Sequence, residues 1–145
     1  MFGPQPWAAR LPAALAYLLC VWLTCRMARR LAPGSEAAAA LVYASMLFTV
    51  GASQLITTDY VLAACQALAM WAFIEARFGN AARTRAWIAL MWIGFALAFL
   101  TKGPPGLLLL PVILAYDFLM PGHRERRALQ WSGLVLVVGL GLPWL

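Results

Sequence analysis

Charge is scarce in this chain, and acid is scarcest. Only 5 of 145 residues are Asp or Glu, charged residues of both signs make up 11%, and there is one histidine. Soluble domains carry about 25% charged residues, so a chain this poor in charge has too little polar surface to cover itself in water. The cysteines exclude something too. There are 3 of them, Cys20, Cys25 and Cys65, all inside apolar runs and without metal-ligand spacing, so neither a disulfide framework nor a zinc site is expected. No segment alternates apolar and polar residues with the period of a barrel strand. No internal repeat and no low-complexity linker is present.

What is present is apolar: 64% of the residues are hydrophobic. The net charge of +6 raises nucleic acid as a partner, but a nucleic-acid binder gathers its basic residues on one solvated face. Here the arginines stand in short clusters between apolar runs, so no nucleic-acid partner is expected. Helices are then the only viable spanning structure. The reading is an all-α, polytopic transmembrane helix bundle of about six spans, with membrane lipids as its surroundings. The expected spans are 11–27, 36–56, 58–77, 86–100, 105–120 and 129–145, in a single transmembrane domain over residues 1–145. The fourth is short for a span of about 20 residues, with about 23 Å of rise, and is expected to leave its outer end recessed.

Punctuation fits these limits. Pro33-Gly34-Ser35-Glu36 supplies a turn, an N-cap serine and an acid in the first turn. Thr57-Thr58-Asp59 reads as a second helix start, Gly79-Asn80 as a stop, and Gly103-Pro104-Pro105-Gly106 as a forced break. Pro111 is expected to kink the fifth helix.

The basic residues set the orientation. Arg26, Arg29 and Arg30 follow the first span, Arg77, Arg83 and Arg85 flank the third and fourth, and Arg124, Arg126 and Arg127 precede the sixth. With alternating spans these nine of the eleven basic residues share one side, which the positive-inside rule assigns to the cytoplasm. Arg10 and Lys102 remain for the other side. The acids sort likewise: Glu36, Glu75, Asp117 and Glu125 belong beside arginines that can pair with them, whereas Asp59 falls on the outer side. Arg10, Asp59 and Lys102 thus come from three segments to one face that is otherwise nearly uncharged. Ionisable groups near a membrane are costly, at roughly 2.5–3.5 kcal/mol each at mid-depth, and mark candidate functional sites. Each also has a plain structural role: a dipole-stabilised helix start for Asp59, a snorkelling helix end for Lys102, an interfacial anchor for Arg10. A recessed lysine suits an anionic lipid headgroup because it offers phosphate a point charge. His123 receives no role.

The amino terminus falls outside the cytoplasm on this topology, and the heavier charge follows the first apolar run rather than preceding it. The expectation is therefore a fragment of a longer protein, cut at both ends.

Three motifs in order, Arg10-Leu11-Pro12, Thr57-Thr58-Asp59 with Leu62, and Leu100-Thr101-Lys102-Gly103-Pro104, resemble one family. It is the bacterial relatives of protein O-mannosyltransferases, including the lipid A aminoarabinose transferases, with the C-type glycosyltransferase fold. The resemblance implies a membrane glycosyltransferase that moves a sugar from a polyprenyl-phosphate donor to a lipid, glycan or protein acceptor on the non-cytoplasmic face. It implies donor-phosphate binding by Lys102, helped by Arg10, and a place for Asp59 in the catalytic cavity near acceptor or a divalent metal ion. It also implies a principal catalytic aspartate upstream of residue 1, leaving this stretch inactive by itself. The implied setting is a bacterial inner membrane, with modification of the cell envelope at its periplasmic side. A transporter segment or a non-catalytic structural subunit packed through Gly133, Gly139 and Gly141 are the rival readings.

Overall fold

The structure, a computed structural model, describes residues 6–46, 51, 58–120 and 139. Five α-helices are described: α1 (Pro6–Leu31), α2 (Glu36–Ser45), α3 (Asp59–Phe78), α4 (Thr84–Lys102) and α5 (Leu110–Leu119). Short 3-10 turns at Ala81–Arg83 and Pro104–Leu107 precede α4 and α5. No strand occurs among the described residues, in keeping with the expected helical membrane domain. Among the described residues three helices are long and apolar enough to cross a membrane: Arg10–Leu31 within α1, Asp59–Phe78 and Thr84–Lys102. The expected sixth span, the basic loop with His123 and Arg124, and most of the outer half of the second span lie outside the described residues.

Side-chain pairs fix how the helices run. Tyr17 packs on Tyr60 with centroids 6.0 Å apart, Trp22 on Trp71 at 5.5 Å, and Arg30 bonds Glu75, so α1 and α3 are parallel. Trp71 meets Trp87 at 5.0 Å while Asp59 meets Lys102, so α4 returns antiparallel to α3. Phe73 meets Tyr116 at 5.7 Å, and Arg77 lies 3.7 Å from Asp117, so α5 runs with α3 again. On α2, the Ala44 carbonyl accepts from the Tyr17 hydroxyl at 2.8 Å, which ties it beside α1.

Small residues let these helices approach. Ala69, Ala72 and Ala76 present one α3 stripe to Ile88, Met91, Phe95 and Ala96 of α4, all buried, with Ile113 of α5 closing the cluster. Lipid is as apolar as leucine, so no hydrophobic drive separates helix from lipid, and close packing between small residues holds the bundle instead. A second cluster joins Ala16 and Cys20 of α1 to Tyr60 and Ala64 of α3. Cys20, Cys25 and Cys65 are free thiols.

Local details depart from the sequence reading. Helix α4 has 19 residues, two more at each end than expected, for about 28 Å of rise. Lys102 is therefore the last residue of a helix long enough to span, and no short fourth span recesses it. The 3-10 turn separates Lys102 from α5, so α5 has only 10 residues and Pro111 stands in its first turn, where no kink results. Ser35 precedes α2 without capping it: its hydroxyl donates back to the Ala32 carbonyl at 2.7 Å, holding the preceding turn. Helix α1 begins before the expected span and accepts Pro12 within its length.

Candidate functional site

The α3–α4 contact decides where Asp59 and Lys102 stand. A Cβ on Gly94 would meet the Cβ and backbone nitrogen of Ala69 at 3.0 Å, so the two backbones are as close as a glycine permits. From that crossing α4 runs up to Lys102 and α3 runs back to Asp59. The two meet as an ion pair between Lys102 Nζ and Asp59 Oδ1, their side chains 46% and 54% exposed. Asp59 is the first residue of α3, where the partial positive charge of the helix also favours a carboxylate.

The chain then turns sharply. Gly103 has φ +72°, a conformation glycine adopts without strain, and its N–H donates to the Phe99 carbonyl at 2.6 Å. Gly106 is buried so tightly that a Cβ there would fall 2.5 Å from the Ala98 carbonyl oxygen. The Gln66 side chain on α3 donates to the Pro105 carbonyl at 3.0 Å and pins this turn over the helix ends. Gln66 escaped the sequence reading, because an amide inside an apolar helix gives no sign of which distant carbonyl it will reach. The same holds for Tyr17, Tyr43 and Tyr60, which form a ring cluster beneath Asp59, with Tyr17 and Tyr43 centroids 6.4 Å apart. Nothing in the residue order marked them, since Tyr43 lies nearer the opposite end of its apolar segment from Tyr17 and Tyr60.

Arg10 is exposed on α1. Tyr17 is level with Tyr60, and Arg10 lies about 10 Å of helical rise further toward the same end of the bundle. Arg10, Asp59 and Lys102 therefore share one end. The structure joins Asp59 to Lys102 and gives Arg10 no ion pair with either among the described residues. The other end holds the expected pairs. Arg30 Nε donates to both oxygens of Glu75 at 2.9 and 3.0 Å, and Arg77 lies over the Tyr116 ring at 5.3 Å beside Asp117. Glu75 pairs from within the last turns of α3, its side chain 5% exposed between α1 and α3.

A divalent ion requires several oxygen or mixed oxygen and nitrogen donors. Among the described residues no group of three or more His, Cys, Asp and Glu comes together. Asp59 supplies one carboxylate, already facing an ammonium, and this set does not fit a metal by itself.

A bundle of apolar helices with one sparse charged cluster at one end and its arginines at the other defines a polytopic membrane protein with a candidate site at a membrane face. Over residues 1–145 the chain matches the dolichyl-phosphate-mannose-protein mannosyltransferase family, and it belongs to that family. It is similar to the undecaprenyl phosphate-alpha-4-amino-4-deoxy-L-arabinose arabinosyl transferase 1 of Pseudomonas fluorescens, 32% identical over 99% of this chain and 26% of that protein. The corresponding transferase of Pseudomonas aeruginosa is 31% identical over 99% of this chain and 27% of its own length. The chain thus spans about a quarter of the length of these relatives. No solved structure matches.

Proposed function

We propose that this chain forms the donor-handling part of a membrane glycosyltransferase that takes a sugar from a polyprenyl-phosphate carrier. The observation that carries the reading is the Lys102–Asp59 pair, assembled from two segments at the end of the bundle opposite the arginine clusters. Family membership and relatives named as undecaprenyl-phosphate aminoarabinose transferases support it over a transporter or a purely structural subunit. The positive-inside rule puts this end on the non-cytoplasmic side, hence the periplasmic face of a bacterial inner membrane.

In the reaction, the bond between the anomeric carbon and the phosphate oxygen breaks, and a bond from the acceptor oxygen to that carbon forms. The electron pair of the broken bond stays on the lipid phosphate, and the acceptor hydroxyl proton passes to a carboxylate. Lys102 meets the charge that builds on the departing phosphate, with Arg10 adding a second cation from α1. An arriving phosphate competes with Asp59 for the ammonium. With Lys102 turned to the phosphate, the Asp59 carboxylate orients the acceptor hydroxyl or supports the base that deprotonates it. The donor therefore readies the acceptor side of the site. A divalent ion, if it joins Asp59, would supply further charge stabilisation, with additional ligands from outside the described residues. The acceptor is a lipid, a glycan or a protein.

Transfer in membranes carrying a transferase of the relatives' full length that contains this stretch tests this. Lys102→Ala should abolish sugar transfer and Asp59→Asn should reduce it at least about a hundredfold, in the range of general acid–base contributions, with insertion unchanged. Full transfer by both variants refutes the assignment.

A further inference from the structure

We infer that one face of α1, distinct from the Lys102 end, is a binding site for an anionic phospholipid in the leaflet at the arginine end of the bundle. The inference is independent of the catalytic reading.

Leu15, Leu18, Leu19 and Trp22 are all exposed, although they belong to a helix otherwise packed on α2 and α3. Their spacing repeats through Arg26, Arg29 and Arg30, so all seven fall within about 120° of arc at 3.6 residues per turn. Arg26 lies about 17 Å of rise from Leu15, close to half of the roughly 30 Å hydrocarbon thickness. An apolar stripe one leaflet long therefore leads straight into a basic cluster.

The cluster is built as an anion site. Arg26, Arg29, Arg30 and Glu75 line a cavity of about 260 Å³. Arg30 takes up both Glu75 oxygens, leaving that carboxylate satisfied. Arg26 is held over the Trp22 and Trp71 rings at 5.5 and 5.7 Å, and neither it nor Arg29 forms an ion pair among the described residues. Glu36 feels the charge of Arg29 from across the turn but does not pair with it. Arg26 and Arg29 thus face the cavity, at the depth where headgroups lie, without an ion pair among the described residues. Guanidinium is suited to phosphate. Trp22 stands at the junction, in the interfacial position that indole rings favour. A phosphodiester headgroup in the cavity with its chains along the leucines satisfies both parts at once. A further apolar helix would cover the leucines but leave the two arginines unanswered.

The experiment uses the purified chain in mild detergent, with phosphatidylglycerol or phosphatidylcholine carrying brominated acyl chains, and reads tryptophan quenching. Phosphatidylglycerol should quench saturably, and the zwitterionic lipid should require at least about tenfold more. The signal should fall in Trp22→Phe. Arg26→Gln with Arg29→Gln should weaken binding of phosphatidylglycerol roughly thirtyfold, about fivefold per arginine. Millimolar inorganic phosphate should not displace the lipid. Equal quenching by both lipids, no quenching at Trp22, or full displacement by phosphate overturns the proposal. The first result means a nonspecific apolar face, the second a face covered by protein, and the third an anion site without a lipid. These three readings come from unsubstituted protein or the mild Trp22→Phe exchange, so misfolding of the arginine variant cannot hide the answer.

Discussion

Gly94 and Ala69 touch where α4 crosses α3, so closely that a methyl group on the glycine would lie 3.0 Å from Ala69 and push it back by a few tenths of an ångström. The neighbouring atoms belong largely to the Ala69 backbone, which cannot turn aside as a long side chain would. Gly94→Ala should therefore destabilise the bundle by about 1–3 kcal/mol, the usual range for overpacking. It should also separate Lys102 from Asp59. Unfolding in graded denaturing detergent measures the first effect, and cross-linking between Cys replacements at 59 and 102 the second. Unchanged cross-linking would mean that the crossing does not position the pair.

The Lys102–Asp59 pair divides stability from chemistry. Both side chains are about half exposed, so the pair contributes at most about 1 kcal/mol once solvent screening is allowed for. Lys102→Glu or Asp59→Lys alone should cost a similar amount, and the double reversal should recover it. Sugar transfer should not recover, because the reversed pair has its cation on the wrong helix. Recovery of both would show the two residues to be a structural bridge only.

At the opposite end, Arg30 and Glu75 should respond unequally. Removing Arg30 strands a carboxylate whose side chain is 5% exposed, whereas removing Glu75 leaves a guanidinium that is 46% exposed and can reach water. Arg30→Ala is expected to cost about 3 kcal/mol and Glu75→Gln about 1 kcal/mol. Equal losses in thermal unfolding would indicate that the unequal burial of the two partners does not set the cost.

Gln66 and Gly106 hold the turn after Lys102. Gln66→Leu leaves the Pro105 carbonyl with only the Leu108 N–H as donor and should cost about 0.5–1.5 kcal/mol. Gly106→Ala drives a methyl into the Ala98 carbonyl and should displace the turn outright. Protease sensitivity at 103–107 in reconstituted vesicles checks both variants, and Gly106→Ala should be the more sensitive.

Sidedness is open to direct measurement. On a background with Cys20, Cys25 and Cys65 replaced, a cysteine at 59 or 102 should react with an impermeant thiol reagent from the face opposite to one at 29 or 85. Labelling of 59 and 102 from different faces would dismantle the proposed site.

Much of this was legible before any coordinates. Scarce charge and long apolar runs require helices that satisfy their own backbone in lipid, and the positions of Arg10, Asp59 and Lys102 at segment ends follow from counting alternating spans. Those are local or one-dimensional properties, so the chain carries them in its order of residues. Contact is not. That Asp59 touches Lys102, that Glu75 reaches back to Arg30 rather than to a loop, and that Gln66 holds Pro105 depend on which faces of separate helices meet. Apolar residues surround the whole circumference of a spanning helix, so hydrophobic periodicity does not mark the buried side. Backbone approach at Gly94 and Gly106 does, and it becomes visible only when the helices are packed.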